Sequence, residues 1–191
     1  MINPFLTLAE ASSSTQDAEA IAIERAQRDP LEFAAIYRQY VDRVFYYVLA
    51  KADDRGDAED ITAQVFLDAL ESLPRYRHKG HFAAWLFTIA RHRLADFYRR
   101  RMPELMDQGQ EPASPAEDPL VKIIQSEHLQ RLAKLVAQLN ESEQELLRLR
   151  FAAGLSFAEI AALQGRKEST IKMRYYRLLA RLQSQMEVGD A

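Results

Sequence analysis

Residues 57–101 read DAEDITAQVFLDALESLPRYRHKGHFAAWLFTIARHRLADFYRRR, and an acidic segment passes here directly into an aromatic, strongly basic one. In the first segment Ile61 and Val65 recur at helical spacing on one stripe, while Asp60 and Gln64 fall on the other side. The segment is therefore predicted to form a helix whose carboxylates face outward. Such a face suits a different partner from the basic segment that follows it.

The basic segment combines cations with flat rings, and between positions 75 and 101 Asp96 is its only acid. Lysine and arginine neutralise phosphates, and aromatic rings stack on unpaired bases, so this composition favours nucleic-acid binding. Trp85 and Ile89 lie one helical turn apart, which favours a core position for Trp85 over a contact role. The segment's cations and rings are Arg75, Arg77, Lys79, Arg91, Arg93, Arg99, Arg100, Arg101, Tyr76, Phe82, Trp85, Phe87, Phe97 and Tyr98.

The charge of the chain is sorted along its length. The formal net charge of the 191 residues is only -3, yet the acids concentrate in residues 1–74 and 102–124. Positive charge returns near the C-terminus, which makes a second basic footprint. This second cluster consists of Arg166, Lys167, Lys172, Arg174, Arg177 and Arg181.

Several classes of protein are disfavoured by the composition. The chain has no cysteine, which excludes disulfides and thiolate metal sites. The longest apolar run, residues 82–90, is shorter than a membrane span, and the polar start is unlike a signal peptide. We expect a soluble, cytoplasmic protein.

The helical periodicity predicts an all-α fold, with two small helical domains joined by a flexible, acidic, proline-containing linker. Asp29-Pro30 is expected to start a long core helix, and the chain is expected to break between positions 53 and 56. Pro74 should end the acidic helix, and a third helix should run from Phe82 to Arg101. The predicted divisions are 1–28, an extension that is partly disordered; 29–101, the first domain; 102–124, the linker; 125–185, the second domain; and 186–191, a tail.

The second domain has the pattern of a helix-turn-helix. Asn140 and Ser142 are candidate caps, with Glu145 completing a capping box after Ser142. Ser156 with Glu159 is a second predicted capping box, and Gly165 is placed to end a short helix in a tight turn. A second helix from about position 169 would enter the major groove, although a hairpin with a merely solvated basic face is the alternative. The candidate contacts on this helix are Ser169, Thr170, Lys172, Met173, Arg174 and Arg177.

No catalytic or metal chemistry is predicted. His78 and His81 have no evident third ligand, and the chain has no glycine-rich phosphate loop and no nucleophile elbow. We therefore expect no catalytic residue, no metal and no cofactor.

In the order and spacing of its motifs, the chain resembles the extracytoplasmic-function (ECF) group of bacterial sigma factors over about residues 33–182. The resemblance rests on Ala58-Glu59-Asp60-Ile61 with Val65-Phe66, on Ala84-Trp85-Leu86-Phe87-Thr88-Ile89-Ala90-Arg91, and on Leu155-Ser156, Glu159-Ile160-Ala161 and Thr170-Ile171-Lys172.

The resemblance implies a factor that binds core RNA polymerase and directs it to promoter DNA. It implies that Asp60 and Gln64, with Glu59 and Asp68 beside them, dock on the polymerase; a merely solvated acidic face is the alternative. The second domain would read an upstream promoter element. An anti-sigma protein that clamps the two domains is a further implied partner. The linker would lie along the polymerase's active-site and RNA-exit channel; an inert tether is the alternative. The residues implied to melt the downstream element are Arg75, Tyr76, Arg77, His78, Lys79, His81, Arg91 and His92.

The chain departs from the family pattern in several places. Ala63-Gln64 lacks an acid that is usual, and His92 replaces a common asparagine. Gln164 and Arg166 stand where the turn is usually apolar, and Lys167 stands where an N-cap is usual. The base readers are therefore left open. A stand-alone regulator that binds operator DNA as a dimer, and a protein-binding helical adaptor, are the rival functions.

Overall fold

The computed structural model describes the backbone of residues 17–52, 54–77, 80–107 and 127–187, with side chains over 17–52, 54–77, 80–101 and 128–187. These residues form helices and turns without a strand, which confirms the all-helical fold class. The predictions for residues 1–16, His78, Lys79 and most of the linker lie outside the described residues. The helices are α1 (17–28), α2 (Phe33–Leu49), α3 (Arg55–Ser72), α4 (Phe82–Asp107), α5 (Glu127–Ala137), α6 (Glu141–Leu147), α7 (Phe157–Gln164) and α8 (Glu168–Glu187).

The first helix boundaries follow the predicted signals closely. Asp29 accepts a hydrogen bond from the backbone N–H of Leu31 and starts a 3-10 turn that leads into α2. Asp54 caps α3 by accepting from the N–H of Asp57 at 2.8 Å, so Gly56 lies inside the first turn and not in the break. Pro74 lies in the 3-10 turn that ends α3, as predicted.

The end of α4 differs from the prediction. The helix continues through Asp107 instead of ending at Arg101, so the first residues assigned to the linker are helical. The stretch after Arg101 has no glycine C-cap, and Met, Glu and Leu there are good helix formers. Pro103 and the nearby acids had suggested an end at Arg101, but the helix continues past this proline.

Of the two candidate caps of α6, the structure uses Asn140. Asn140 and Glu143 form the capping box, and the predicted box of Ser142 and Glu145 is wrong. A start two residues earlier leaves Glu145 on the buried side of α6, where it bonds Tyr47 instead. The Ser156–Glu159 box and the left-handed Gly165 at the end of α7 are confirmed.

The apolar core is continuous between the two halves of the chain, the first made of α1–α4 and the second of α5–α8. Helices α2, α3 and α4 enclose the large buried rings, including Tyr40, Tyr47 and Phe87. The same cluster includes Leu149 and Ile160 from the C-terminal half, both fully buried. A smaller cluster is formed by Leu139, Leu178 and Leu182. The two helical groups therefore pack against each other and are not separately enclosed.

Helix α1 was not predicted from the sequence. Ile23 and Ala26 are 1% and 4% exposed and belong to the main core. Only these two apolar side chains of α1 are buried, so its amphipathic pattern is too short to stand out. The extension from residue 17 onward is thus part of the folded body.

Among the described residues, no helix is long and apolar enough to cross a membrane. The same part of the chain contains no group of three or more metal-ligating side chains that could hold an ion.

We predict that Ile23→Ala lowers the free energy of unfolding by about 2–4 kcal/mol, because it leaves a cavity where α1 meets the core. Ile21→Ala is the matched control, since Ile21 lies on the same helix and is 52% exposed. Thermal or urea unfolding of the two variants checks the prediction. Equal stability would mean that α1 does not contribute to the core.

Candidate nucleic-acid and protein interfaces

The first candidate surface surrounds the turn between α3 and α4. Arg75 and Arg77 are exposed, and the half-buried Tyr76 lies between them. The Tyr76 ring is 4.7 Å from Trp85 and 5.4 Å from Phe82, centroid to centroid. Two cations therefore flank a cluster of rings, an arrangement that can accept both a phosphate and an unpaired base.

Trp85 contributes to this surface as well as to the core. It is partly buried against the main cluster, in agreement with the expectation of a packing role, but it also lines a cavity of about 540 Å³. His81 and Thr88 lie on the same wall. Ala162 and Leu163 of α7 form the opposite wall, so the C-terminal half partly covers this surface.

Arg91 and His92 lie farther along α4, and both are exposed. Arg91 is 3.7 Å from the Glu145 carboxylate of α6. The structure therefore brings Arg91 to the boundary between the two halves, while Arg75, Tyr76, Arg77 and His81 line the cavity together.

The second candidate surface is a groove between α3 and α4. Asp60 and Gln64 are both exposed there, opposite Arg93, Arg100 and the half-buried Asp96 of α4. The groove has a volume of about 410 Å³. The predicted outward direction of these α3 side chains agrees with the structure.

The acids around Asp60 are already paired. Asp68 is bonded to Arg93 and accepts from Gln64, Asp57 pairs with Arg101 at 2.9 Å, and Glu59 pairs with Arg55. The hydrogen bond from the Arg93 guanidinium holds the pKa of the Asp68 carboxyl below its usual value, so Asp68 stays ionised.

Asp60 differs from these neighbours. Among the described residues it has no cation within ion-pair distance. It is therefore the carboxylate of this face that is most available to an external cation.

The third candidate surface is the exposed face of α8. Ile171, Tyr175 and Leu178 are buried against the rest of the domain, and this fixes the rotation of the helix. Gly165, with φ of 62°, allows the tight turn before α8, and its own N–H and that of Arg166 close the end of α7. The exposed side chains on the far face are Ser169, Lys172, Met173, Tyr176 and Arg177.

Some of the predicted contact residues on α8 are partly buried or already bonded to neighbouring side chains. Thr170 is half-buried, and Arg174 donates to the Ser142 hydroxyl at 2.6 Å. Lys172 pairs with Glu168 at 2.7 Å, and the hydrogen bond to this glutamate raises the pKa of the Lys172 ammonium. Lys172 and Arg177 therefore keep their charge at the surface, and Arg174 is held back against α6.

The unusual turn residues have a position that accounts for their polarity. Gln164 and Arg166 line a cleft of about 720 Å³ between the halves, facing Tyr98 and Arg91 of α4. An apolar side chain would gain little burial free energy there, because the cleft is open to solvent and charged side chains form part of its lining. Lys167 is exposed at the start of α8, where its carbonyl accepts from Thr170 and Ile171.

A polar stripe on α2 and the turn after it contributes to the contact between the two halves. Arg43 and Tyr47 lie one turn apart on the same face of α2, and Lys51 follows in the turn after Leu49, where the helix ends. Arg43 donates to the carbonyls of Ala153 and Gly154 at 2.8 and 3.2 Å. These two carbonyls follow the π-turn Arg148–Ala152, just before α7.

Glu145 of α6 is the centre of this contact. Its side chain is 11% exposed and accepts from the Tyr47 hydroxyl at 2.7 Å and from Lys51 at 3.1 Å. Arg148 lies 3.8 Å away. Burial, reinforced by the Glu145 carboxylate, raises the pKa of Tyr47 far above its usual value, so this hydroxyl remains a donor.

This contact between halves was missed by sequence reasoning, which had assigned Glu145 to a capping box. The available signal in the sequence was weak. Arg43, Tyr47 and Lys51 recur every four residues in an otherwise largely apolar segment.

Two family models match the chain, each in a separate part. The model described as sigma-70 region 2 matches residues 36–103, and the model described as sigma-70 region 4 matches residues 129–182. The first match contains α3 and the α3–α4 turn, and the second contains the helix-turn-helix.

The chain is similar to curated ECF RNA polymerase sigma factors. It is 35% identical to BldN of Streptomyces coelicolor over 169 residues, which cover 84% of this chain and 62% of that relative. It is 30% identical to SigD of Mycobacterium tuberculosis over 203 residues, covering 99% of this chain and 91% of that relative.

Two solved structures share the fold. CnrH, in complex with the cytosolic domain of CnrY, matches with a TM-score of 0.63 and 20% identity, over 88% of this chain and 96% of that one. The sigma factor RpoE, in complex with the anti-sigma factor NepR from Bartonella quintana, matches with a TM-score of 0.58 and 24% identity, over 82% and 98%.

We predict that Glu145→Gln destabilises the docked arrangement of the two halves, relative to the separated one, by about 1–3 kcal/mol. The reason is that Lys51 and Tyr47 lose a charged acceptor at a buried contact. The chain has no cysteine, so a dye pair on Ala35→Cys and Ala180→Cys reports the separation directly. Glu32→Gln, at an exposed position of the first half, is the control. A distance distribution that is unchanged by Glu145→Gln would contradict the prediction.

Proposed function

Because the chain belongs to the ECF group of sigma-70 family sigma factors, we propose that it binds core RNA polymerase and directs promoter-specific initiation in the cytoplasm. In this proposal α8 reads an upstream promoter element, and the α3–α4 turn with α4 melts a downstream one. The observation that carries it is the presence, in order on one chain, of both sigma-70 regions, each with an exposed basic surface. In this proposal the chain binds polymerase and promoter DNA and positions them relative to each other, and it catalyses no reaction.

Polymerase docking is assigned to the α3–α4 groove around Asp60, with Gln64, Glu59 and Asp68 at its sides. The support is electrostatic: Asp57, Glu59 and Asp68 are paired within the chain, whereas Asp60 is exposed and has no cation within ion-pair distance among the described residues. A single surface pair contributes less than about 1 kcal/mol, so most of the affinity must come from a broad interface. Asp60 then serves orientation and specificity.

Upstream recognition is assigned to the exposed face of α8. Ser169, Thr170 and Lys172 lie in its first turns, from which side chains of a recognition helix reach base edges. Met173 offers an apolar contact to a thymine methyl group, and Arg177 is better placed for a phosphate. Arg174 can join them only after it leaves the Ser142 hydroxyl.

Downstream melting is assigned to Arg75, Tyr76, Arg77, His78, Lys79, His81, Arg91 and His92. Unstacking a base step costs a few kcal/mol. Stacking on a ring returns roughly 1–3 kcal/mol per base, and phosphate neutralisation adds to it, so no nucleotide hydrolysis is needed. The packed rings of Tyr76 and Trp85, with an exposed arginine before and after Tyr76 in the sequence, support this role.

The proposal requires the two halves to separate. In the closed arrangement α7 forms a wall of the cavity beside Tyr76 and Trp85, and Glu145 engages Arg91, so the melting surface is partly covered. Core polymerase would compete with the contacts of Glu145 and Arg43. A protein of the anti-sigma class that binds across both halves would instead hold them together, and both structural relatives are in complex with another protein.

Run-off transcription with purified core polymerase tests the proposal, using promoters selected from random-sequence DNA. We expect specific transcripts only when both proteins are present. Tight binding of the chain alone to duplex DNA at moderate salt, without stimulation of polymerase, would favour a dimeric regulator. Binding to neither DNA nor polymerase would favour a protein adaptor.

We predict that Asp60→Arg weakens binding to core polymerase about tenfold or more, because a cation replaces an exposed carboxylate of the groove that has no ion-pair partner among the described residues. Asp42→Arg is the control with the same charge change, since Asp42 is exposed on α2. Fluorescence anisotropy with labelled factor measures both affinities. Equal affinities for the two variants would show that the docking surface lies elsewhere.

A further inference from the structure

A glutamine of α1 reaches the turn that carries the melting residues. The Gln27 side-chain amide donates to the carbonyl of Leu73 at 2.9 Å and to the carbonyl of Tyr76 at 2.7 Å. An amide nitrogen has two N–H groups, so one side chain can satisfy both carbonyls at once. These bonds join positions 46 and 49 residues apart in the sequence.

Helix α1 is fixed where it holds Gln27. Ile23, one turn earlier, and the adjacent Ala26 are buried in the core. At the other end of α1, Glu19 accepts a hydrogen bond from Tyr40 of α2. Since both ends of α1 are held by the body of the protein, the Gln27 amide is already in place and needs little ordering to bind the turn.

The two carbonyls define the path of the chain as it leaves α3. Leu73 begins the 3-10 turn, and its carbonyl also accepts the N–H of Tyr76. At Tyr76 the backbone becomes extended, with φ of -66° and ψ of 131°. Gln27 therefore bridges the first residue of the turn and the first residue after it.

The direction of three functional side chains depends on this bridge. Arg75 and Arg77 are on either side of Tyr76 in sequence, and both are exposed. The Tyr76 ring packs against Trp85, with centroids 4.7 Å apart and the ring planes tilted by 41°. The Leu73 carbonyl lies at the start of the turn and the Tyr76 carbonyl in the peptide that leads to Arg77, so the two bonds together restrain the segment that carries both arginines and the ring.

We infer that Gln27 is a positioning residue for DNA opening: it holds the Leu73–Tyr76 turn so that Arg75, Tyr76 and Arg77 meet the downstream element in the correct orientation. This inference rests on the proposed function. It extends the melting apparatus to α1, which lies outside the residues matched by the region 2 model. Gln27 acts through the turn and does not itself contact DNA.

The main test uses Gln27→Met, which keeps the length and volume of the side chain but removes both donors. Gln39→Met is the matched control, because Gln39 is exposed on α2. Each variant is combined with core polymerase on a fully paired promoter and on the same promoter with a pre-opened mismatch bubble. Permanganate reactivity of unpaired thymines measures the rate of opening.

We expect Gln27→Met to open the paired promoter about 5–20 fold more slowly than wild type, and to bind the bubble promoter within about twofold of it. Gln39→Met should match wild type on both templates. Opening of the paired promoter at the wild-type rate would overturn the inference. An equal loss on both templates would also overturn it, since a defect in folding or polymerase binding does not distinguish them.

A second variant guards against loss of fold. Gln27→Lys replaces the amide with three donors on a longer side chain, and Gln39→Lys carries the same added charge elsewhere. We expect Gln27→Lys to open the paired promoter within about threefold of Gln39→Lys. Opening as slow as that of Gln27→Met would contradict the donor role. If wild type initiates on neither template, the proposed function fails and the inference with it; if only the Gln27 comparisons fail, the proposed function stands.

Discussion

The closed arrangement of this molecule depends on one buried carboxylate, Glu145. A carboxylate that is 11% exposed is costly to remove from water unless charged and polar donors surround it. Tyr47 of α2 and Lys51, just after α2, donate hydrogen bonds to it, while Arg91 and Arg148 add positive charge from α4 and from the turn after α6. Because both hydrogen-bond donors lie in the first half of the chain and Glu145 lies in the second, the halves must be docked for Glu145 to be satisfied. The docking contact is thus directional, and it is polar at its centre.

Apolar packing around that centre is shared between the halves. Leu149, Leu155 and Ile160 continue the core that begins with the rings of α2 and α4. Separation would expose this surface as well as break the polar contacts. A binding partner that separates the halves must therefore offer replacement contacts both to the exposed apolar surface and to the polar groups.

The sequence was a good guide to local structure and a poor guide to how distant parts meet. Strong periodicity and caps predicted α2, α3 and α7, and the charges on α3 and α8 point outward as expected. The error at Ser142 and Glu145 has a physical cause, since two overlapping capping boxes were available and tertiary contact with Tyr47 selected between them. Helix α1 and the reach of Gln27 could not be predicted, because one amide side chain carries no signal of a partner 46 residues away.

Helix α4 is a single element of 26 residues, which at 1.5 Å per residue is a rod roughly 39 Å long. Its first turns carry Phe82 and Trp85, and its later turns carry Arg93 and Arg101, which are clamped to α3. The groove proposed for polymerase and the rings proposed for DNA therefore lie on the same helix. Their relative orientation is fixed by α4, so the orientation in which the polymerase binds the groove also sets the orientation of the rings toward the duplex.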